Sequence, residues 1–333
     1  MELARRALLL AFASVGAGAC ASGVLPALPL PADDPAEPSE VIPLWPAGVP
    51  GGVPDGLTES IVFRDNPFGL MDRAAHDVTS PSLSVFRPAR PDGSAILIIP
   101  GGGYRWVVID KEGFEGARHF AAAGATVYVL RYRLPHQGWA AGPEAPLQDA
   151  QRAIRVIRSR AMRDAVDPAR VMVMGFSAGG HLAGLLATRF DAPVYVPQDE
   201  ADAWQARPDA AALIYPVATM TRPHAHDGSR KHLLGDDPSP ETVAAWSLET
   251  LVHAGMPPVF LMHAEDDEAV PVENALMLFD ALRAAKCAAA MHLFEHGGHG
   301  FGFRGIAGTP LEDWPGLLTR WGRDKGIFPV QTD

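Results

Sequence analysis

Residues 171–180 read VMVMGFSAGG. The four apolar residues VMVM read as a strand. The residues from His181 onward read as a helix. A chain that passes from strand to helix in so few residues must turn sharply, and the turn holds Ser177 in strained backbone at the strand's C-terminal end. Gly175 and Gly179 lack a Cβ, so neighbouring chain can pass close to the turn. The N-terminus of the following helix suits developing negative charge. This G-x-S-x-G arrangement, in its strand–turn–helix setting, restricts the chain to an α/β architecture with an exposed serine at a sheet edge.

The rest of the chain agrees. Apolar runs at 82–86, 95–100 (AILIIP), 126–130 (TVYVL), 212–215, 259–263 and 291–294 read as further strands. Helical spacing or helix-ending signals mark 112–123, 146–161, 181–190 and 274–285. Strand–helix alternation with buried strands predicts a mostly parallel central sheet with helices on both faces. One domain is expected over 41–328, with 191–210 and 218–250 as inserted loops or short helices around a site. Arg152, Arg155, Arg158 and Arg160 read as a solvated helix face near Glu144 and Asp149.

A serine hydroxyl needs a base, and the base needs an orienting acid. Two later loops follow strands and therefore reach the same sheet edge as Ser177. One is HAEDDEAVP (263–271), in which Glu265, Asp266, Asp267 and Glu268 all compete as the acid. The other is HGGHGFG (296–302). His299, between Gly298 and Gly300, has the freedom to reach across, with His296 as the alternative and His292 as a structural strand residue. The glycines after AILIIP, Gly101 and Gly102 with Gly103 possible, let backbone N–H groups face a developing oxyanion. Ala178 N–H, just after the serine, supplies a second donor. Tyr104, Arg105 and Trp106 border that loop and could shape a sugar-facing cleft. His224 and His226 read as loop residues rather than metal ligands.

Composition limits the partners. The 333 residues are 47% hydrophobic and carry a net charge of −11. The first figure fits a globular domain, and the second disfavours nucleic acid and polyanions while leaving neutral substrates open. Cys20 and Cys287 are the only cysteines, too few and too far apart for a disulfide framework. Arg5 and Arg6 precede an apolar and small run from Ala7 to Ala19, which describes a secretory leader over 1–21. Ala17-Gly18-Ala19-Cys20 resembles a bacterial lipoprotein box, although Ala17 departs from the usual Leu or Val. It would make Cys20 a lipid anchor and the only tie to a membrane. Residues 22–40 hold five prolines and read as an extended tether.

Together these motifs resemble the α/β-hydrolase superfamily, in the branch of bacterial carbohydrate acetyl esterases such as acetylxylan esterases, near the hormone-sensitive-lipase-like esterases. The resemblance rests on IIPGGGY (98–104), YRLP (132–135), LQDAQRAIRVIRSRA (147–161), DPARVMVMGFSAGGHLAG (167–184), PPVFLMHAEDDEAVP (257–271) and HGGHGFG (296–302). It implies an α/β-hydrolase fold and places the acid in a D-x-x-V-P pattern, which selects Asp267. It aligns His299 with the family's histidine and makes Pro-Gly-Gly-Gly-Tyr the branch's oxyanion loop. The implied activity is an exported serine esterase acting on acetyl groups of plant cell-wall polysaccharide, with no cofactor and no metal. A short-chain carboxylesterase, a feruloyl esterase or a peptidase on the same scaffold are the alternatives.

Overall fold

In a computed structural model, residues 37–330 are described. The leader and Cys20 lie outside them, as does most of the tether. The chain runs β1 (Glu40–Pro43), β2 (Ser60–Phe63), β3 (Arg73–His76), β4 (Ser82–Phe86), β5 (Ala95–Ile99) and β6 (Val107–Val108). A π-type turn at Asp110–Phe114 leads into α1 (Glu115–Ala122), then β7 (Thr126–Arg131), α2 (Ala145–Ser159), β8 (Val171–Phe176) and α3 (Ala178–Thr188). After β9 (Ala210–Ile214) come three short helices, α4 (Asp227–Leu234), α5 (Pro240–Ala245) and α6 (Leu248–Leu251). The chain closes with β10 (Val259–Ala264), α7 (Glu273–Ala284), β11 (Ala289–Phe294) and α8 (Trp314–Asp324).

Eight strands form one sheet in the order β1-β4-β7-β5-β8-β9-β10-β11. The six from β7 to β11 in that order are mutually parallel, whereas β4 runs antiparallel to β1 and β7. The unalternating apolar runs are explained by cover on both faces. In β5, Leu97 and Ile99 enter one core cluster and Ile96 and Ile98 the other. In β8, Val171 and Val173 face one side and Met172, Met174 and Phe176 the opposite. Each such side chain contributes about 2 kcal/mol of burial. α2 and α3 pack on the first face, and α1 and α8 on the second.

Chain order reverses at β5. Its crossover through α1 leads to β7 on one side, while β8 pairs on the other. Loops leaving β5 and β8 therefore diverge from adjacent strand ends and open a crevice at this switch point, where ligands bind in such sheets. The glycine loop and Ser177 emerge there.

Two expectations need correction, and one feature has no counterpart in the sequence reading. The boundary at residue 41 falls inside β1, whose Glu40 pairs with Val85. The N-terminal part of the domain also holds a second sheet, β2-β3-β6, whose strands are too short to show a period. The arginines of α2 are not a uniformly solvated face. Arg152 and Arg158 are 2% exposed, because the loop over 191–209 folds onto α2 rather than around the site. Arg152 binds Asp199, Asp202 and the Leu44 carbonyl. Arg158 binds the carbonyls of Pro168, Gln205 and Arg207 and the Asp209 carboxylate. A planar guanidinium with five donors suits that work.

Candidate active site

Ser177 has φ +54° and ψ −120° between the end of β8 and the start of α3, a conformation costly for a side chain. The surrounding packing enforces it. A Cβ at Gly175 would lie 2.2 Å from the Gly179 carbonyl oxygen, and one at Gly179 would lie 2.2 Å from the Ile99 carbonyl oxygen. Only glycine fits at either position. Backbone hydrogen bonds complete the clamp: Ser177 N–H donates to Ile214, and the amides of His181 and Val217 donate to Ser177 O.

The Ser177 Oγ lies 2.8 Å from His299 Nε2, and His299 Nδ1 lies 2.6 Å from Asp267 Oδ2. The structure thus brings together the three residues expected from the sequence, from the ends of three separate strands. Asp267 is 5% exposed. Burial by itself would raise its pKa. Hydrogen bonds from His263 and His299, the His299 charge and the Val270 amide outweigh that, and hold the carboxyl well below the usual range. Its Oδ1 accepts the amides of Ala269 and Val270 at 3.0 and 2.8 Å. His263 Nε2, 3.2 Å from Oδ2, also reaches the Val270 carbonyl at 2.9 Å.

The rival residues of those loops lie elsewhere. Asp266 accepts the amides of Gly297 and Gly298 at 2.8 and 2.7 Å and so pins the histidine loop. Those amides, Gly298's first, lower its pKa. His296 is exposed beside Asp266 and Glu295. His292 stacks on Phe260 at 5.0 Å between ring centroids, a structural position.

Gly101 requires correction as an oxyanion donor. Its N–H donates to Glu112 Oε2 at 2.9 Å. Gly102 and Gly103, which line the cleft beside Ser177, are left for that task, together with Ala178 at the first turn of α3. Gly102 has φ +125°, and its carbonyl accepts the amides of Arg105 and Trp106, which curls the loop back on itself.

Sequence reasoning missed the support behind this loop. Glu112, delivered by the π-type turn, binds Gly101 on one oxygen and receives the Tyr215 hydroxyl on the other at 3.2 Å. Tyr132 donates to the Pro100 carbonyl at 2.9 Å. The Tyr104 hydroxyl meets His181 Nδ1 at 2.7 Å, and His181 Nε2 meets the Trp246 carbonyl at the same distance. A carbonyl accepts only, so Nε2 carries the proton and Tyr104 donates to Nδ1. Complete burial pushes the His181 pKa down to about 4, against the opposing Trp246 bond, so the ring stays neutral. None of these partners has a local motif; only the fold juxtaposes them.

The cleft has a volume of about 450 Å³. Arg105 and Trp106 do line it, whereas Tyr104 is fully buried behind the loop. α4 contributes His226, Gly228 and His232. His226 caps α4 by accepting the Ser229 amide, and burial, then the nearby His299, lowers its pKa. His232 binds the Gly103 carbonyl at 2.9 Å. Among the described residues, no group of three or more His, Cys, Asp or Glu could hold a metal ion.

The doubly covered sheet, the strained serine turn and the chain order Ser177, Asp267, His299 define an α/β-hydrolase. Comparison with known proteins narrows this. The BD-FAE family model matches residues 83–282. An acetylxylan esterase of Xylanibacter ruminicola is 31% identical over 66% of this chain and 43% of its own length. The endo-1,4-beta-xylanase B of Butyrivibrio fibrisolvens is 38% identical over 62% of this chain and 32% of its own. The chain thus spans under half the length of these two relatives. The crystal structure of an acetyl ester-xyloside bifunctional hydrolase from Caldicellulosiruptor lactoaceticus superposes with a TM-score of 0.71 at 33% identity, covering 88% of this chain and 98% of that one. The chain belongs to the BD-FAE family.

Proposed function

We propose that this protein is an exported serine esterase that removes acetyl or other short acyl groups from plant cell-wall polysaccharide or its oligosaccharides. The observation that carries the reading is the continuous chain Asp267–His299–Ser177, with distances of 2.6 and 2.8 Å, opening into a cleft lined by Gly102 and Gly103. The acetylxylan esterase among its relatives supports the substrate class. The N-terminal leader pattern supports export, and the lipoprotein-like box supports a lipid anchor at Cys20.

In this reading Ser177 Oγ attacks the ester carbonyl carbon while its proton passes to His299 Nε2. Asp267 holds the ring with Nε2 toward the serine and stabilises the imidazolium. The N–H groups of Ala178, Gly102 and Gly103 hold the oxyanion, each contributing about 10²–10³ in rate. Collapse of the tetrahedral species breaks the bond to the alcohol, which leaves with the Nε2 proton. Water then attacks the acyl-serine, giving its proton to His299; the bond to Ser177 Oγ breaks, Oγ takes that proton back, and the acid departs. These steps use only this chain's side chains and backbone.

The test is acetate release from acetylated xylo-oligosaccharides beside a chromogenic acetate ester, with Ser177→Ala as control. Release from both, abolished in the variant, supports a carbohydrate acetyl esterase. Release from the chromogenic ester alone moves the natural substrate to another ester. Activity that survives in the variant contradicts the mechanism.

A further inference from the structure

The cleft carries a charge pattern that a neutral acetyl sugar does not use. The chain as a whole is acidic, with a net charge of −11. Yet Arg64, Arg105 and Lys111 all line the cleft that contains Ser177. The acid beside them, Glu112, is 5% exposed and has both oxygens engaged inward, on Gly101 and Tyr215. Among the described residues, the Arg64 guanidinium has only a long ion-pair contact, with Asp72 at 3.7 Å. Arg105 lies over the Trp106 ring at 4.7 Å. Among the described residues, neither Arg105 nor Lys111 has a carboxylate within ion-pair distance, in contrast to the arginines of α2.

Lys111 is the best placed of the three. It follows Asp110 in the π-type turn and is half-buried. A Cβ built at Gly300 would meet its ammonium at 3.1 Å, so the charge sits against the residue next to His299. Burial lowers its pKa, the expected result for a cation that lacks a full partner. A second cavity, of about 610 Å³, lies beyond this point. It shares Lys111, His299 and Gly300 with the first and adds Phe68 and Phe301. The leaving alcohol must meet His299 Nε2 to take its proton, so the alcohol part of the substrate lies nearest Lys111. The shared wall gives that alcohol room to continue as a chain.

We propose that the cleft selects esters whose alcohol carries a carboxylate, held by Lys111 and Arg64 on the leaving-group side of Ser177. For an acylated carbohydrate this means a uronic-acid-bearing oligosaccharide. The inference rests on the esterase reading and names the substrate class of the same site.

The test compares kcat/KM for an acetylated xylo-oligosaccharide bearing a uronic acid with that for its carboxyl-reduced counterpart, which has the same shape and no charge. The wild-type protein is expected to favour the charged substrate by about ten-fold or more at low salt, as a charge-assisted hydrogen bond allows. That ratio should shrink as ionic strength rises. Lys111→Met and Arg64→Gln should each reduce the ratio, and Lys111→Arg should retain most of it. Free glucuronate should inhibit the wild-type protein more strongly than glucose does, a readout that requires no variant. Equal kcat/KM for the two substrates overturns the proposal, as does a preference unchanged in both variants. An equal loss on both substrates in Lys111→Met also overturns it, since Lys111 would then serve the chemistry or the fold instead. Hydrolysis of neither substrate, nor of a chromogenic acetate, counts against the esterase reading itself.

Discussion

Two buried carboxylates, Asp149 on α2 and Asp267 in the loop after β10, are each surrounded by hydrogen-bond donors. Asp149 is fully buried and binds Arg133 through both oxygens, the Arg133 amide and the Trp45 indole N–H. Asp267 is nearly as buried and binds His263, His299 and two amides. The difference lies in where the donors lead. Around Asp149 the network continues to the Ala145 carbonyl and Gln148, and so ends within the protein. From Asp267 it continues through His299 to an oxygen that faces a cleft. A closed network fixes structure, whereas one that ends on a nucleophile lining a cleft is arranged to move a proton.

The contrast can be broken most severely at its open end. Ser177→Ala should lower ester hydrolysis by about 10⁴-fold or more while leaving thermal stability close to that of the parent. Steady-state kinetics and a melting curve on the same preparation check both. Asp267→Asn should lower kcat by about 10⁴-fold, because an amide favours the wrong tautomer of His299. Asp149→Asn should do the converse. Leaving Arg133 buried without its carboxylate should cost about 3 kcal/mol of stability, with kcat per folded molecule little changed. Denaturant unfolding of the two variants side by side separates these effects. A large loss of kcat in folded Asp149→Asn would erase the distinction.

A smaller effect comes from acid. The folded His181 pKa lies near 4, against 6.5 for an unperturbed ring. Between those values the unfolded chain binds a proton that the folded chain refuses. Stability therefore rises with pH across that window and is lost as pH falls, by roughly 3 kcal/mol at its lower end. Unfolding curves from pH 7 to 4.5 should show the slope, and His181→Gln should show a shallower one. Least of all, Asp266→Asn should lower kcat/KM only about two- to ten-fold, since this exposed acid merely anchors the amides of Gly297 and Gly298.

Much of the site was legible in the sequence because strand ends and chemistry coincide there. A strand covered on both faces reads as an unbroken apolar run, so β5, β8 and β10 and the loops that follow them stood out. The choice of Asp267 over Asp266 was not available from residue type, and came only with the family resemblance. What stayed hidden was non-local. Glu112 and Tyr215 are 103 positions apart and meet only when the π-type turn packs against the end of β9. The same holds for Arg152 and Arg158, whose spacing on a helix says nothing of the 191–209 loop that covers them. The second sheet was missed because strands of two to four residues carry no period to detect.

The central claim is that Ser177, activated through His299 and Asp267, is a nucleophile. Its most direct measurement is covalent labelling of the intact protein with a serine-directed aryl phosphonate, followed by peptide mass spectrometry. The prediction is one adduct per chain, on the peptide that contains Ser177, formed in step with loss of ester hydrolysis and absent from Ser177→Ala. An active protein that resists the probe, or one that loses activity with the adduct on another residue, would contradict it.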